Sequence, residues 1–379
     1  MGTPHPLPFI TVLVPCRNEQ GFIKRCLNSI VNNGYPADRL TVLVVDGRSD
    51  DGTRAVLEAY VREHRCVRVI DNPDRTTPRA LNIGLREAQG EYVLRVDAHA
   101  SLGPGYIRAC VNASKEYGAD VVCGVMKTVP SSASLVGKAI ATALSHPFGV
   151  GNSYFRIHVS APTWVDTVFC GCYRRDAFDR VLASERIVNC ETDETGGKAL
   201  GCRGPFNAAL IRGQDMDFSL RLRKIGGRML LLPHIRSDYF ARSTLRSFWK
   251  QNWNNGVWAV LPFAYSEGSP VLLRHVIPLG FVGSVLVTAA GGLTVSPLLW
   301  WVSGGILGAY GMVNLVASLH AAWIERSLSR MMLMPCTFAA LHLGYGLGSL
   351  WGMFRLVGLP QFWRKLGVLR TPGPSAVAS

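Results

Sequence analysis

Two predicted strands end in polar residues that could bind a ligand. Asp46 ends the apolar run 40–46 and opens the acidic loop DGRSDDGT. Asp97 follows the apolar run 92–96, and His99 stands two residues further on. Ligands of open α/β sheets bind outside the carboxyl ends of the strands, so these side chains are candidate ligand contacts. Each also has a structural explanation, because Asp commonly caps a helix or closes a turn and a histidine after a strand is often only solvated.

A further pair of acids begins a predicted amphipathic helix over residues 211–226. Asp215 and Asp217 lie in its first turn, and three basic residues lie towards its end. The helix dipole favours acid at the start and base at the end, so this pattern alone requires no function. A catalytic role for either acid therefore needs an independent argument.

The elements that position these residues alternate along the first hundred residues. Strands are predicted by short β-branched runs at residues 9–15, 40–46, 67–70 and 92–96. Helices are predicted by amphipathic segments at residues 19–32, 52–64 and 78–88. Alternation of strand and helix with short connections predicts an α/β sheet with right-handed crossovers.

The middle of the chain is expected to extend this sheet. Residues 110–129 and 164–173 have the composition of strands. Gly171 lies inside the second run, where a glycine often marks the close approach of a ligand or of another backbone segment. The polar segment 185–204 is interpreted as an insertion, and the sequence suggests no role for it.

Beyond residue 241 the composition changes to that of a membrane protein. Residues 242–265 mix basic with aromatic side chains, which is typical of a helix at a membrane surface, although a buried core helix would also carry the aromatics. Charge-free stretches follow at residues 275–294, 298–320 and 331–354. A helix of about 20 apolar residues crosses a bilayer, so each stretch is long enough.

The number of crossings is left at two or three. Gly344, Gly346 and Gly348 interrupt the third stretch, so it is expected either to span or to enter the membrane and return. Three full crossings would also leave the basic residues of the C-terminal tail outside, against the positive-inside rule.

The charge of the whole chain limits the classes of molecule that it is expected to bind. Lys and Arg number 40 against 26 Asp and Glu, which gives a net charge of +14. The excess is scattered and no nucleic-acid recognition motif accompanies it, so an anionic lipid or substrate is favoured over nucleic acid. Ten cysteines without repeated C-x-x-C spacing, and the lack of an apolar leader in residues 1–10, predict a cytosolic front part.

Residues 9–101 resemble the donor half of glycosyltransferase family 2, whose members have the GT-A fold. The segment PCRNE at 15–19 is similar to the family's P-x-x-N-E, and residues 46–53 are similar to its D-x-S-x-D-x-T. Residues 80–90 resemble its A-x-N…A-x-G, and RVDAHA at 95–100 resembles the succinoglycan-type, ExoA-like branch. Matches continue to Gly256, and a hydrophobic tail is also typical of this branch.

The resemblance implies a UDP-sugar donor. Asp46 would accept the uracil imide, and the expected donor-site residues are Pro15, Arg17, Glu19, Asp46, Ser49, Asn82 and Asp97. Asp97 and His99 occupy the family's D-x-D position, where a divalent cation, Mn²⁺ or Mg²⁺, bridges two phosphates. A histidine ligand fits Mn²⁺ better. His99 could also support the site without touching the ion.

The resemblance also implies the base and the acceptor side. Asp215 matches the acid that family members use as general base, with the helix-start role as the alternative. Gln214 replaces the usual Glu of the relatives. Residues 251–256 align with the family's Q-x-x-R-W or Q-x-x-R-Y-G box. Gln251 and Gly256 are retained, but Asn stands at the arginine and aromatic positions, which argues against a processive synthase. Acceptor-side contacts are expected at Gly171, Gln214, Gln251 and Trp253.

The implied activity is an inverting, metal-dependent hexosyl transfer. A hexose would pass from a UDP-sugar to a polyprenyl-diphosphate-linked saccharide at the cytosolic face of the inner or plasma membrane, in exopolysaccharide or cell-envelope glycan synthesis. A transferase acting on a polyprenyl phosphate or glycolipid is an alternative, and a catalytically inactive membrane scaffold is an alternative of another class. Membrane lipids are expected partners, and other envelope-polysaccharide enzymes remain open as partners.

The expected architecture is an α/β, Rossmann-like GT-A domain followed by C-terminal transmembrane helices. Its expected segments are an N-terminal tail at 1–8, a catalytic domain at 9–240 with its donor half at 9–101 and its acceptor half at 102–240, an interfacial segment at 241–273, a transmembrane region at 274–357 and a basic tail at 358–379.

Overall fold

The computed structural model describes residues 7–157, 159–184, 204–266 and 273–368. Residues 185–203 of the expected insertion, residues 1–6 of the N-terminal tail and residues 369–379 of the basic tail lie outside the described residues.

The chain divides into two compact units. The first comprises the chain up to residue 129 and residues 153–240, and the second comprises residues 130–152 and the chain from residue 241. Residues 130–152 were predicted to belong to the acceptor half, whereas in the structure they group with the C-terminal helices. Packing explains the difference, because Ala139 and Ala143 are buried in one cluster with Met334 and Phe338.

The strands and helices are numbered along the whole chain. The strands are β1 (Ile10–Cys16), β2 (Leu40–Asp46), β3 (Val67–Asp71), β4 (Tyr92–Arg95), β5 (Ala100–Leu102), β6 (Val121–Pro130), β7 (Thr163–Trp164), β8 (Cys172–Arg174) and β9 (Met229–Ala241). The helices are α1 (Ile23–Val31), α2 (Thr53–Glu63), α3 (Thr77–Glu87), α4 (Tyr106–Tyr117), α5 (Leu135–Ala143), α6 (Pro147–Val150), α7 (Arg175–Ser184), α8 (Gln214–Lys224), α9 (Leu245–Val260), α10 (Pro262–Tyr265), α11 (Leu273–Thr294), α12 (Leu298–Ile324), α13 (Leu328–Val357) and α14 (Pro360–Lys365).

The strands of the first unit form one mixed sheet in the order β3-β2-β1-β4-β8-β6-β9-β5, with β7 paired to β9. β1 pairs in parallel with β2 and β4, and β2 pairs in parallel with β3. β8 runs antiparallel to β4 and β6. The predicted α/β sheet is therefore confirmed in its parallel part, and antiparallel strands extend it.

Helices cover both faces of the sheet, which is why β1 and β2 are almost continuously apolar. On one face, alternate β1 residues such as Val12 pack in a buried cluster with residues of α1, α2 and α4. On the other face, Leu13 packs with residues of α3, α7 and α8.

Two apolar runs were wrongly predicted to be strands over their whole length. Residues 110–117 belong to α4, where Cys110 and Ala113 lie on the buried face of a helix. In the run 164–173, only the two ends form strands, β7 and β8. A methyl group on Gly171 would lie 2.8 Å from Val168 Cγ2, so the protein's own packing explains this glycine.

The second unit confirms the three predicted long apolar helices. Arg274–Thr294, Leu298–Ile324 and Ser329–Val357 are each long and apolar enough to cross a membrane. The prediction that glycines interrupt the third segment is wrong, since α13 is continuous from Leu328 to Val357.

These glycines let α9 approach α13 closely. Methyl groups on Gly344 and Gly348 would lie 3.4 and 2.1 Å from the carbonyl oxygens of Trp249 and Trp253. Small residues four apart line one face of a helix and allow another backbone to pack against them. The buried face of α9, which includes Gly256, therefore belongs to a packed core.

Candidate active site

The carboxyl ends of β1, β2 and β4 meet at one edge of the sheet. The register pairs Cys16 of β1 with Asp46 of β2, and β4 flanks β1 on its other side. Glu19, Asp46 and Asp97 lie at or just after these three strand ends. The structure thus brings together the strand-end residues that the sequence analysis selected.

Hydrogen bonds join the loop after β1 to the loop after β2. The Asn18 side-chain amide donates to Asp50 Oδ1 over 2.8 Å, and its carbonyl oxygen accepts from the Asp50 backbone amide over 3.0 Å. The Asn18 backbone amide donates to Ser49 Oγ, and the Glu19 backbone amide donates to Thr53 Oγ1, both over 2.9 Å. These bonds fix Ser49 and Glu19 relative to each other.

Asp46 anchors its own loop. Its side chain is 0% exposed. Ser49 Oγ donates to Oδ1 over 2.6 Å, and Arg54 Nη1 donates to Oδ2 over 3.0 Å. The buried carboxylate thus already binds donors of its own chain, and the predicted contact of Asp46 with the base stays a prediction. Pro15 is partly buried, and Arg17 is exposed at the same edge, as a donor contact requires.

Arg95 connects Asp97 to Asp215. Its Nη2 donates to Asp97 Oδ1 over 3.0 Å, and its Nη1 lies 3.6 Å from Asp215 Oδ2. Its side chain is 13% exposed, against 22% for Asp97 and 32% for Asp215, so the guanidinium lies deeper than either acid. We refer to these three residues as the Arg95 bridge. It brings the predicted metal ligand and the predicted base to one place.

The Arg95 bridge also shifts the pKa values of Asp97 and Arg95. Burial raises the pKa of the Asp97 carboxyl, but Arg95 and His99 outweigh burial and lower that pKa below its ordinary value. Burial lowers the pKa of the Arg95 guanidinium, but Asp97 and Asp215 outweigh it, so the net shift is upward. Asp97 is therefore ionised at neutral pH, as a cation ligand must be.

His99 is held in a defined orientation. Its Nδ1 lies 2.9 Å from Glu19 Oε1. A carboxylate accepts a hydrogen bond, so Nδ1 carries the proton and Nε2 is the nitrogen suited to metal binding. Tyr239 packs edge-on against the His99 ring at a centroid distance of 5.3 Å. These two contacts leave the ring little freedom to rotate.

Asp97 and His99 fit part of a cation site. Within the described residues, no group of three or more His, Cys, Asp or Glu side chains could hold a metal ion. The pair could supply one oxygen and one nitrogen ligand, a set suited to Mn²⁺. Its other ligands would be oxygens from outside the chain, such as those of a diphosphate and water.

Asn82 positions a loop and has little capacity left for a ligand. Its side chain is 2% exposed. Its Nδ2 donates to the Phe206 carbonyl over 2.7 Å, and its Oδ1 accepts from the Phe206 amide over 3.0 Å. Arg221 donates to the neighbouring Pro205 carbonyl over 2.5 Å and pairs with Asp217 over 2.8 Å. These contacts hold the chain that leads into α8.

The acceptor-side candidates are separated in the structure. Gln214 begins α8, is 5% exposed, and its Oε1 has no hydrogen-bond partner among the described residues. Gln251 and Trp253 lie on α9 in the second unit. Gly171 has its methyl position filled by neighbouring side chains. Their contacts with an acceptor stay predictions.

Arg95 and Tyr239 were not among the site residues predicted from the sequence. Arg95 precedes Asp97 by two residues, and this spacing along an extended chain indicates that both side chains point to one face. That signal was available inside the motif RVDAHA. Tyr239 reaches His99 only because β5 and β9 pair Ala100 with Tyr239, which no local pattern reveals.

The first part of the chain is similar to a known protein family. Residues 11–182 match Glycosyl transferase family 2. The succinoglycan biosynthesis protein ExoA of Rhizobium meliloti (strain 1021) is 25% identical over 329 residues, which cover 82% of this chain and 92% of that protein. A dolichyl N-acetyl-alpha-D-glucosaminyl phosphate 3-beta-D-2,3-diacetamido-2,3-dideoxy-beta-D-glucuronosyltransferase of Methanococcus voltae is 25% identical over 253 residues, which cover 65% of this chain and 72% of that protein.

The fold has a counterpart among solved structures. The mannosyltransferase PcManGT from Pyrobaculum calidifontis, in complex with GDP-Man and Mn²⁺, superposes with a TM-score of 0.53 at 19% identity, over 92% of this chain and 88% of that chain. At this identity the likeness concerns the fold, and it confirms the predicted GT-A architecture. The match to the glycosyl transferase family 2 domain thus covers residues 11–182, slightly less than half of the chain.

Proposed function

We propose that this protein is an inverting, metal-dependent hexosyltransferase that uses a UDP-sugar and glycosylates a lipid-linked saccharide. The observation that carries the proposal is the Arg95 bridge, with Nη2 3.0 Å from Asp97 and Nη1 3.6 Å from Asp215. Glycosyl transfer requires stabilisation of the leaving diphosphate next to a base for the incoming hydroxyl. The bridge offers one carboxylate for each task.

Asp215 is the proposed general base. Its Oδ1 accepts the Met216 amide over 3.0 Å, and its Oδ2 faces Arg95. In the proposed reaction the acceptor oxygen forms a bond to the anomeric carbon, its proton passes to Asp215, and the bond to the UDP oxygen breaks. Because this is a single displacement, the anomeric configuration inverts.

Asp97 and His99 are the proposed ligands of a divalent cation, Mn²⁺ or Mg²⁺. Such an ion, when bound, neutralises the charge of the leaving UDP. Glu19 orients His99 through their 2.9 Å hydrogen bond and takes no part in proton transfer in the proposed reaction. The mannosyltransferase of similar fold was solved with Mn²⁺, which supports the choice of cation.

A lipid-linked acceptor is proposed from the relatives and from the second unit. The M. voltae relative is named for a dolichyl-linked sugar phosphate, and ExoA is named for succinoglycan biosynthesis. The three long apolar helices provide a means of holding the chain at a membrane. The proposal therefore assigns the catalytic domain to the cytosolic face of the inner or plasma membrane, and Gln214 to the acceptor side.

Incubation of membranes with labelled UDP-glucose and a panel of other labelled nucleotide sugars tests this proposal. Label in a preformed lipid-linked oligosaccharide supports it, whereas label in a monosaccharide lipid supports the polyprenyl-phosphate alternative. Cation-dependent UDP binding without transfer from any donor would identify an inactive scaffold. Failure to bind any nucleotide diphosphate would contradict the proposal altogether.

A further inference from the structure

Arg156 is a partly buried arginine whose charge has no counterpart in the described protein. It ends a short 3₁₀ turn, Tyr154–Arg156, in the first unit. Its Nη1 is buried and has no hydrogen-bond partner among the residues that the structure describes. By contrast, the buried guanidinium of Arg95 is flanked by two carboxylates.

Two aromatic rings lie close to the Arg156 guanidinium. Its Cζ lies 5.5 Å from the centroid of the Phe155 ring and 5.6 Å from that of Tyr239. The Tyr239 ring in turn lies 5.3 Å from the His99 ring. Arg156 is therefore only one aromatic side chain away from a proposed cation ligand.

The aromatic contacts compensate only part of the cost of burying this group. A ring face attracts a cation but does not accept the directed N–H bonds of a guanidinium. Burial lowers the pKa of the Arg156 guanidinium, and the described surroundings include no carboxylate paired with it to reverse that shift. A buried N–H without an acceptor is costly, so a site of this kind favours an anion that brings acceptors with it.

We propose that Arg156 binds a phosphate oxyanion of a substrate beside the Asp97–His99 site. This inference rests on the proposed function and adds a substrate contact to it. The planar guanidinium fork matches two oxygens of a phosphate, and the rings behind it hold the fork in place. Both the UDP of the donor and the diphosphate of a lipid-linked acceptor have this chemistry.

The test uses the full-length protein in detergent and measures the unfolding midpoint and ligand affinity, without turnover. The donor arm compares UDP with UMP in the presence of Mn²⁺. The acceptor arm compares a polyprenyl diphosphate with the polyprenol of equal length. The variants are Arg156→Met, which removes the charge, and Arg156→Lys, which keeps the charge and loses the fork.

Arg228→Met is the matched control. Arg228 also stacks on an aromatic ring, with its Cζ 3.8 Å from the Trp164 centroid, but it is exposed. We expect it to bind all four ligands like the wild type.

Arg156→Met is expected to lower affinity for the relevant diphosphate about 10- to 100-fold, because a charged hydrogen bond is lost. Loss of the preference for UDP over UMP assigns the contact to the donor, and loss of the preference for the polyprenyl diphosphate over the polyprenol assigns it to the acceptor. Arg156→Lys should lose less affinity than Arg156→Met. Without ligand, Arg156→Met should unfold at no lower temperature than the wild type, since no carboxylate is left unpaired.

Two results overturn the inference. The first is an Arg156→Met variant that keeps every phosphate-dependent preference of the wild type. The second is a variant that is less stable without ligand and binds every ligand as the wild type does, which would show that Arg156 only supports the rings. A wild type that discriminates no phosphate in either arm would instead contradict the proposed function itself.

Discussion

Arg95 shows how one largely buried side chain can organise the proposed active site. It contacts Asp97 in the loop after β4 and Asp215 in α8, and these two carboxylates would otherwise repel each other. Compensating two carboxylates with one guanidinium keeps Asp97 ionised despite its burial. The arrangement leads to two predictions at the scale of single residues.

Asp215→Asn should lower transfer by about 100- to 10,000-fold, because the amide cannot accept the proton of the attacking hydroxyl. Cation-dependent UDP binding should remain, since the proposed donor ligands are elsewhere. Transfer rates with a labelled donor and UDP titrations of the same preparation measure both effects. Asp38→Asn is the control, because Asp38 is 79% exposed on a surface turn. Undiminished transfer in Asp215→Asn would remove Asp215 from the role of base.

Arg95→Met should move the acid limb of cation-dependent UDP binding to higher pH. Arg95 lowers the pKa of Asp97, so its removal leaves burial to raise that pKa, and the ionised ligand then forms only at higher pH. UDP affinity measured with Mn²⁺ from acid to neutral pH records the shift. Arg68→Met, with a side chain 55% exposed, is the control, and an unshifted limb in Arg95→Met would show that Asp97 does not govern binding.

At the scale of elements, α9 and α13 run in the same direction and share a glycine-lined contact. Trp249 lies against Gly344 and Trp253 lies against Gly348, so successive turns of the two helices match. Ser349 Oγ adds a hydrogen bond to the Gly256 carbonyl over 3.2 Å. Close backbone packing of this kind tolerates no added side chain at the contact.

Gly348→Leu should destabilise the protein strongly. A methyl group there would lie 2.1 Å from the Trp253 carbonyl oxygen, and backbone atoms cannot rotate away. Overpacking costs about 1–3 kcal/mol or more, which lowers the unfolding midpoint by several degrees. Gly308→Leu on α12 is the matched control, because nothing lies within 4 Å of its added methyl group. Equal unfolding midpoints for the two variants would argue against a tight α9–α13 contact.

At the scale of the whole second unit, the chain before the first long apolar helix meets the chain after the third. The Lys365 ammonium donates to the Phe263 carbonyl over 2.9 Å and also to the Ser266 carbonyl. Gly346, in the second half of α13, lies against Pro278 near the start of α11. If the chain before α11 and the chain after α13 were on opposite faces of the membrane, a hydrocarbon core about 30 Å thick would separate them. We therefore expect α11 and α12 to cross the membrane and α13 not to cross it completely.

Single cysteines introduced at three positions test this topology. Val295→Cys lies between α11 and α12, Val368→Cys follows α14, and Glu87→Cys lies in the first unit, each at a well-exposed side chain. The variants are labelled with a membrane-impermeant maleimide in vesicles of one orientation. Val368→Cys and Glu87→Cys should be labelled from the same side of the membrane, and Val295→Cys from the other side. Labelling of Val368→Cys together with Val295→Cys would instead mean three full crossings. A Cys336→Ser background removes an exposed native thiol.

Local patterns in the sequence determined the elements and the chemistry at their ends. Apolar runs of strand length predicted β1 to β4, and charge-free stretches predicted α11, α12 and α13. Both signals come from the composition of one short segment, so they can be read without knowing the rest of the fold. The motif RVDAHA at 95–100 and the loop at 46–53 also indicated the family that the comparisons bear out.

Only the tertiary structure decided which groups meet. Arg95 reaches Asp215 because α8 packs beside the sheet. The Asn82 side chain is hydrogen-bonded to the backbone of Phe206, which lies far along the chain. The glycines of α13 are compatible both with a broken helix and with a helix packed closely against a neighbour. The contact with α9 shows that the helix is continuous and closely packed. Such contacts depend on distances between residues remote in sequence, and periodicity within one segment carries no information about them.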